Sequence, residues 1–153
     1  MRLNQATDYA FRAVLHLSRL PRGKVVEAKL IAGEEHIPIR FLLKILRYLT
    51  RAGIVESYRG VSGGYALAKS PGDITMKDVV EAVEGPIRIN RCLIDPGECN
   101  RRQTSSCVMH RALFSIQQAL ARELEKYDFE ALSRMTPPGK LPGQNPGSGG
   151  QNQ

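Results

Sequence analysis

The sequence has no tryptophan, and phenylalanine and tyrosine supply only 6% of its 153 residues. A core built around large rings is excluded, so packing has to rest on aliphatic side chains. No apolar run approaches the ~20 residues that a membrane span needs. The first apolar stretch is interrupted by Asn4, Gln5, Asp8, Arg12 and His16 and does not read as a secretory signal. A cytoplasmic protein without a membrane partner is therefore expected. Thiols in that compartment stay reduced, and three cysteines are too few for a disulfide scaffold. Metal binding or redox chemistry is the expected use of those cysteines. A paired nucleophile and base is also missing, and the glycines at 60–64 follow a strand without opening a helix, so no phosphate cradle is read there. Neither an enzyme nor a small-molecule substrate is expected.

Basic residues are in excess. The net charge is +7, and residues 1–80 carry +6 of it, with 13 Lys/Arg against 7 Asp/Glu. The N-terminal half is the expected surface for an anionic partner such as nucleic acid.

The periodicity predicts helices over 7–20, 26–36, 38–52, 75–83, 107–127 and 129–135. Two alternating segments, 54–58 and 64–68, flank Arg59-Gly60-Val61-Ser62-Gly63 and suit a hairpin. This order is the outline of a mainly α fold, a winged helix-turn-helix with a two-stranded β wing and a long C-terminal dimerisation helix. The chain divides into a DNA-binding domain (1–84), an irregular cluster-binding loop (85–106), a dimerisation and terminal helix region (107–135) and a disordered tail rich in Pro, Gly, Asn and Gln (136–153). In the long helix, Met109, Leu113, Ile116, Leu120, Leu124 and Tyr127 form a stripe. It suits a short coiled-coil seam or an amphipathic helix packed on its own domain.

The third helix places Leu42, Ile45, Leu46 and Leu49 on one face and Arg40, Lys44, Arg47 and Arg51 on the opposite one. An apolar face packed inward with a basic stripe outward suits the major groove of double-stranded DNA. Arg59, Gly60 and Ser62 at the hairpin tip suit a phosphate or minor-groove contact. Leu43 and Tyr48 flank the stripe and suit either base contact or core.

All three cysteines fall within 16 residues, as Cys92-x6-Cys99-x7-Cys107, with His110 one turn after the last. Thr104, Ser105 and Ser106 suit the start of a helix and place Cys107 at its N-terminus, where the dipole favours a thiolate. Arg88, Arg91, Arg101, Arg102 and Arg111 favour an anionic cluster. Zinc would accept three thiolates and an imidazole, although gaps of six and seven are wider than its usual knuckle and suit a larger group. Thiol redox sensing without metal is a further reading. His16 and His36 read as structural.

Met1-Arg2-Leu3, Thr7-Asp8-Tyr9-Ala10, Phe41-Leu42-Leu43-Lys44-Ile45-Leu46, Arg59-Gly60 with Gly63-Gly64-Tyr65, Arg91-Cys92, Cys99 and Cys107-Val108-Met109-His110 together resemble the Rrf-two family of bacterial regulators, over about residues 1–135. The resemblance implies a homodimeric, nucleoid-associated DNA-binding transcriptional regulator, more often a repressor. It also implies an iron–sulfur cluster on Cys92, Cys99 and Cys107. IscR-like members complete a 2Fe–2S cluster with a histidine that His110 matches. NsrR-like members complete a 4Fe–4S cluster with an aspartate from the partner subunit's first helix, which Asp8 matches. Those members space their cysteines by five and five, unlike this chain. Leu43 stands where IscR-like members have an acidic residue that discriminates sequence. Two alternatives remain open: a winged-helix regulator with structural zinc or thiol sensing, and an iron–sulfur electron-transfer or carrier protein.

Overall fold

The computed structural model describes residues 2–135; the tail expected to be disordered lies outside them. Helix α1 spans Gln5–Ser18 and starts two residues before the predicted Thr7. Asn4 accounts for the difference, because its side chain accepts the Thr7 N–H at 2.9 Å and caps the helix. Ala10, Ala13, Val14 and Leu17 form the buried face.

Helix α2 is shorter than predicted, Ala28–Glu35. Val26 is drawn out of it into an isolated bridge with Tyr65, with N–H to carbonyl distances of 2.9 and 2.8 Å. His36 ends the helix in the left-handed region (φ 53°), and His16 contacts Glu35 at 2.9 Å.

Helix α3 spans Ile39–Arg51 directly after Pro38, and Leu42, Ile45, Leu46 and Leu49 are buried beneath it. The wing follows. Strands β1 (Val55–Tyr58) and β2 (Gly64–Leu67) pair antiparallel, with Val55 opposite Leu67 and Tyr58 opposite Gly64. Helix α4 spans Met76–Glu84 and opens on a reciprocal cap: Thr75 accepts the Asp78 N–H at 3.2 Å, and Asp78 accepts the Thr75 N–H at 2.9 Å.

The segment 85–106, predicted to be irregular throughout, contains a one-turn helix α5 (Arg91–Ile94) and a tight turn at Pro96–Glu98. Asn90 caps the first by accepting the Arg91 N–H, and Asp95 caps the second by accepting the Gly97 N–H. Both are polar caps too short to produce a periodicity.

Helix α6 (Val108–Glu125) is followed by α7 (Phe129–Arg134). The predicted α6 stripe splits in two. Leu113, Leu120 and Leu124 turn inward beside buried Gln117. Met109 and Ile116 lie about 50° further round the helix and are 62% and 57% exposed. Helix α7 returns the chain to the N-terminal unit. Phe129 is fully buried beside Phe11, with ring centroids 6.5 Å apart, and its N–H meets the Ile74 carbonyl at 2.9 Å.

The core is aliphatic apart from Phe129: Val14, Ile31, Leu42, Leu46, Leu49, Ile54, Ile74 and Val79 are buried in one cluster drawn from α1 to α4 and the wing. The fold is a mainly helical winged helix-turn-helix.

Candidate DNA interface and cysteine centre

The exposed side of α3 presents Arg40, Lys44, Arg47 and Arg51, opposite the four buried leucine and isoleucine side chains. Lys44 Nζ lies 6.0 Å from the centre of the Tyr48 ring. Among the described residues none of the four forms a salt bridge, so their charges are available to an external anion. Leu43 is 42% exposed and is not part of the core.

The wing tip carries Arg59, Gly60 and Ser62, all exposed. Gly60 adopts φ 97°, and the Gly63 N–H closes the turn on the Gly60 carbonyl at 3.0 Å. A side chain at Gly63 would collide with the Tyr58 and Gly60 carbonyl oxygens, so only glycine lets the tip close this tightly. The wing is also fixed close to its tip, where the Val26–Tyr65 bridge ties β2 to the residues just before α2.

The three cysteines are free thiols, each partly exposed. With His110 they form two pairs near the N-terminal end of α6. Cys92 Sγ lies 3.3 Å from His110 Nδ1 and receives Asn90 Nδ2 at 3.5 Å. Cys99 and Cys107 line a common cleft of about 180 Å³, walled also by Ser106 and Met109. Backbone N–H groups of Gln103 and Arg101 point at Cys99, and with Arg102 and the Arg101 charge they hold its thiol below the ordinary value. The turn that aims these amides requires Arg102 at φ 51°.

Cys107 stands at the N-cap of α6, as expected, but Thr104, Ser105 and Ser106 do not cap the helix; the N-cap is Cys107 itself, with no side-chain bond. Its sulfur is therefore not occupied by the helix that positions it. Asp8 lies on α1, ion-paired to Arg12 one turn on.

A family profile described as "Rrf2: Iron-dependent Transcriptional regulator" matches residues 3–135. The chain belongs to the Rrf2 family. It is 30% identical over 138 residues to the transcriptional regulator NsrR of Shouchella clausii, covering 86% of this chain and 88% of that one. Its fold superposes on CymR, the global cysteine regulator of B. subtilis, with a TM-score of 0.67, 26% identity and coverage of 87% and 96% of the two chains. It superposes also on T. potens IscR with a TM-score of 0.67, 21% identity and coverage of 90% and 94%.

The protein is thus a transcriptional regulator and not an enzyme, and the electron-carrier alternative falls away. Among the described residues no helix is long and apolar enough to cross a membrane. No three His, Cys, Asp or Glu side chains among them converge on a point that would hold a single ion. Cys92 with His110 and Cys99 with Cys107 thus stand as two separate pairs near the start of α6. The sequence reading did not anticipate Asn90 or the amides of Arg101–Gln103 as partners of the sulfurs. Asn90, two residues before Cys92, was the available signal.

Proposed function

We propose that this regulator binds operator DNA as a homodimer through α3 and the wing, and that an iron–sulfur cluster on Cys92, Cys99 and Cys107 controls that binding. One observation carries the reading: three free thiols and an imidazole are gathered at the N-terminal end of α6, whose body packs on α4, which packs in turn on α3. This packing offers the state of the sulfurs a route to the placement of the DNA-reading helix. Bound there, a cluster supplies iron that responds to redox state, iron supply or nitric oxide. His110 is the fourth ligand favoured by its contact with Cys92, whereas Asp8 is engaged by Arg12. The homodimer is supported by the apolar side of α6 left exposed at Val108, Met109 and Ile116. The family's bias points to repression.

A second reading, direct thiol sensing, is supported by the depressed Cys99 thiol and by the likeness to a cysteine regulator.

Anoxic purification separates the two. The expected result is a coloured protein with iron and acid-labile sulfide whose affinity for operator DNA changes when they are removed. A colourless protein carrying stoichiometric zinc, or one whose DNA binding follows thiol oxidation without iron, overturns the cluster reading. Spectra of Asp8→Ala and His110→Ala variants name the fourth ligand.

A further inference from the structure

Residues 85–90 connect the winged-helix unit to the first cysteine and form no strand or helix of their own. Gly85 ends α4 at φ 83° and Ile87 is buried. The one side chain bonded to the backbone of this connection from α6 is Gln117, whose Oε1 accepts the Ile89 N–H at 3.2 Å.

Gln117 is 4% exposed, at the centre of the inward face of α6, and is one of two buried polar residues among those described. A glutamine on an apolar face loses solvation, and leucine would fill the same space without that loss. Its presence there calls for a reason beyond packing. The next residues supply one. Asn90 caps α5 and donates to Cys92 Sγ at 3.5 Å, and His110 Nδ1 faces the same sulfur at 3.3 Å. His110 and Gln117 are seven residues apart, on the same face of α6. The helix therefore holds this segment at two points, the Ile89 amide on Gln117 and the Cys92 thiol on His110.

We infer that Gln117 is a positioning residue: it fixes the 87–92 segment on α6 and aims the Cys92 thiol at His110, so that a change at Cys92 is passed to α6 instead of being absorbed by the loop. The transmission half rests on the sensing role proposed above; the positioning half does not.

The test uses the full-length, reduced, metal-free protein, with Gln117→Leu removing the acceptor and Gln117→Glu retaining an acceptor oxygen. Hydrogen exchange reads the Ile89 amide, and mass spectrometry reads alkylation of each cysteine. Leu is expected to speed Ile89 exchange and Cys92 alkylation by about fivefold, the loss of one hydrogen bond, while Cys99 keeps its rate. Glu keeps the acceptor oxygen at the added cost of burying a carboxyl group, so it is expected to fall between the parent and Leu at both. The inference is overturned if Leu leaves Ile89 and Cys92 unchanged, or if it accelerates all three thiols and global exchange together, which marks a purely structural role. A parent protein that never takes up iron sinks the sensing reading and leaves this measurement intact.

Discussion

Replacing Arg47 by alanine removes one charge from the exposed row of α3 and touches nothing in the core, because Leu46 and Leu49 point the other way. Stability should stay within about 0.5 kcal/mol. The effect belongs to DNA binding. Each phosphate neutralised by a basic side chain contributes about 0.9 to the slope of log affinity against log salt. Two engaged protomers lose two contacts, so the slope should become shallower by about 1.8, and over a fourfold rise in salt the variant's deficit should shrink about 12-fold. Fluorescence anisotropy of an operator duplex at four salt concentrations reads this directly. Arg12→Ala is the control. Arg12 is tied to Asp8 and to the Glu35 carbonyl at 3.3 Å, so its removal should leave the slope unchanged. A shift near 0.9 would identify a single engaged protomer. An unchanged slope for Arg47→Ala would refute the placement of this row on the phosphate backbone.

Other outcomes follow from local geometry. Thr75→Ala removes one half of the reciprocal cap of α4 and should cost about 1 kcal/mol by urea denaturation, since it frees the Asp78 N–H; an unchanged midpoint would contradict the cap. Gly64→Ala places a methyl group well inside contact distance of the Val26 carbonyl. It should destabilise by about 2 kcal/mol and weaken DNA binding by releasing the wing. In metal-free protein, backbone amides favour the Cys99 thiolate. Cys99 should therefore reach half-maximal iodoacetamide reactivity at a lower pH than free cysteine, and a midpoint at or above that of free cysteine would show that the Gln103 and Arg101 amides do not act on it.

The winged-helix unit was legible because its signals are local and periodic. In α3 the four buried residues and the four basic ones occupy opposite faces of a single helix, so composition at three- and four-residue steps is enough. Where tertiary contacts decide, legibility ends. Val26 has the character of a helix residue, yet pairing with Tyr65 across the fold removes it from α2. The α6 stripe merged two faces because sequence spacing alone does not say which side the rest of the fold covers. Met109 and Leu113 are equally apolar, but only Leu113 turns toward the body of the protein. The cysteine region was legible as chemistry and not as geometry. Thiol crowding and the adjacent His110 are visible in the sequence, while the pairing of Cys92 with His110 and of Cys99 with Cys107 depends on a loop fixed by Asn90, Asp95 and the left-handed Arg102.

The return of the chain through α7 changes what α6 is mechanically. Its C-terminal end is clamped, with the Met76 N–H on the Tyr127 carbonyl, the Phe129 N–H on the Ile74 carbonyl, each at 2.9 Å, and Lys77 meeting Glu125 at 3.4 Å. Its other end begins at Cys107. Eighteen residues make a rod of about 27 Å, so α6 is a lever whose fulcrum is part of the hydrophobic core. A stroke of about 1 Å at the cysteine end turns the rod by only about 2°. A longer stroke would have to strain the fulcrum, where Phe129 of α7 is seated. Any movement that starts at the sulfurs should therefore depend in its amplitude on how firmly Phe129 is held. Loosening that residue should widen the stroke and lower the melting temperature together.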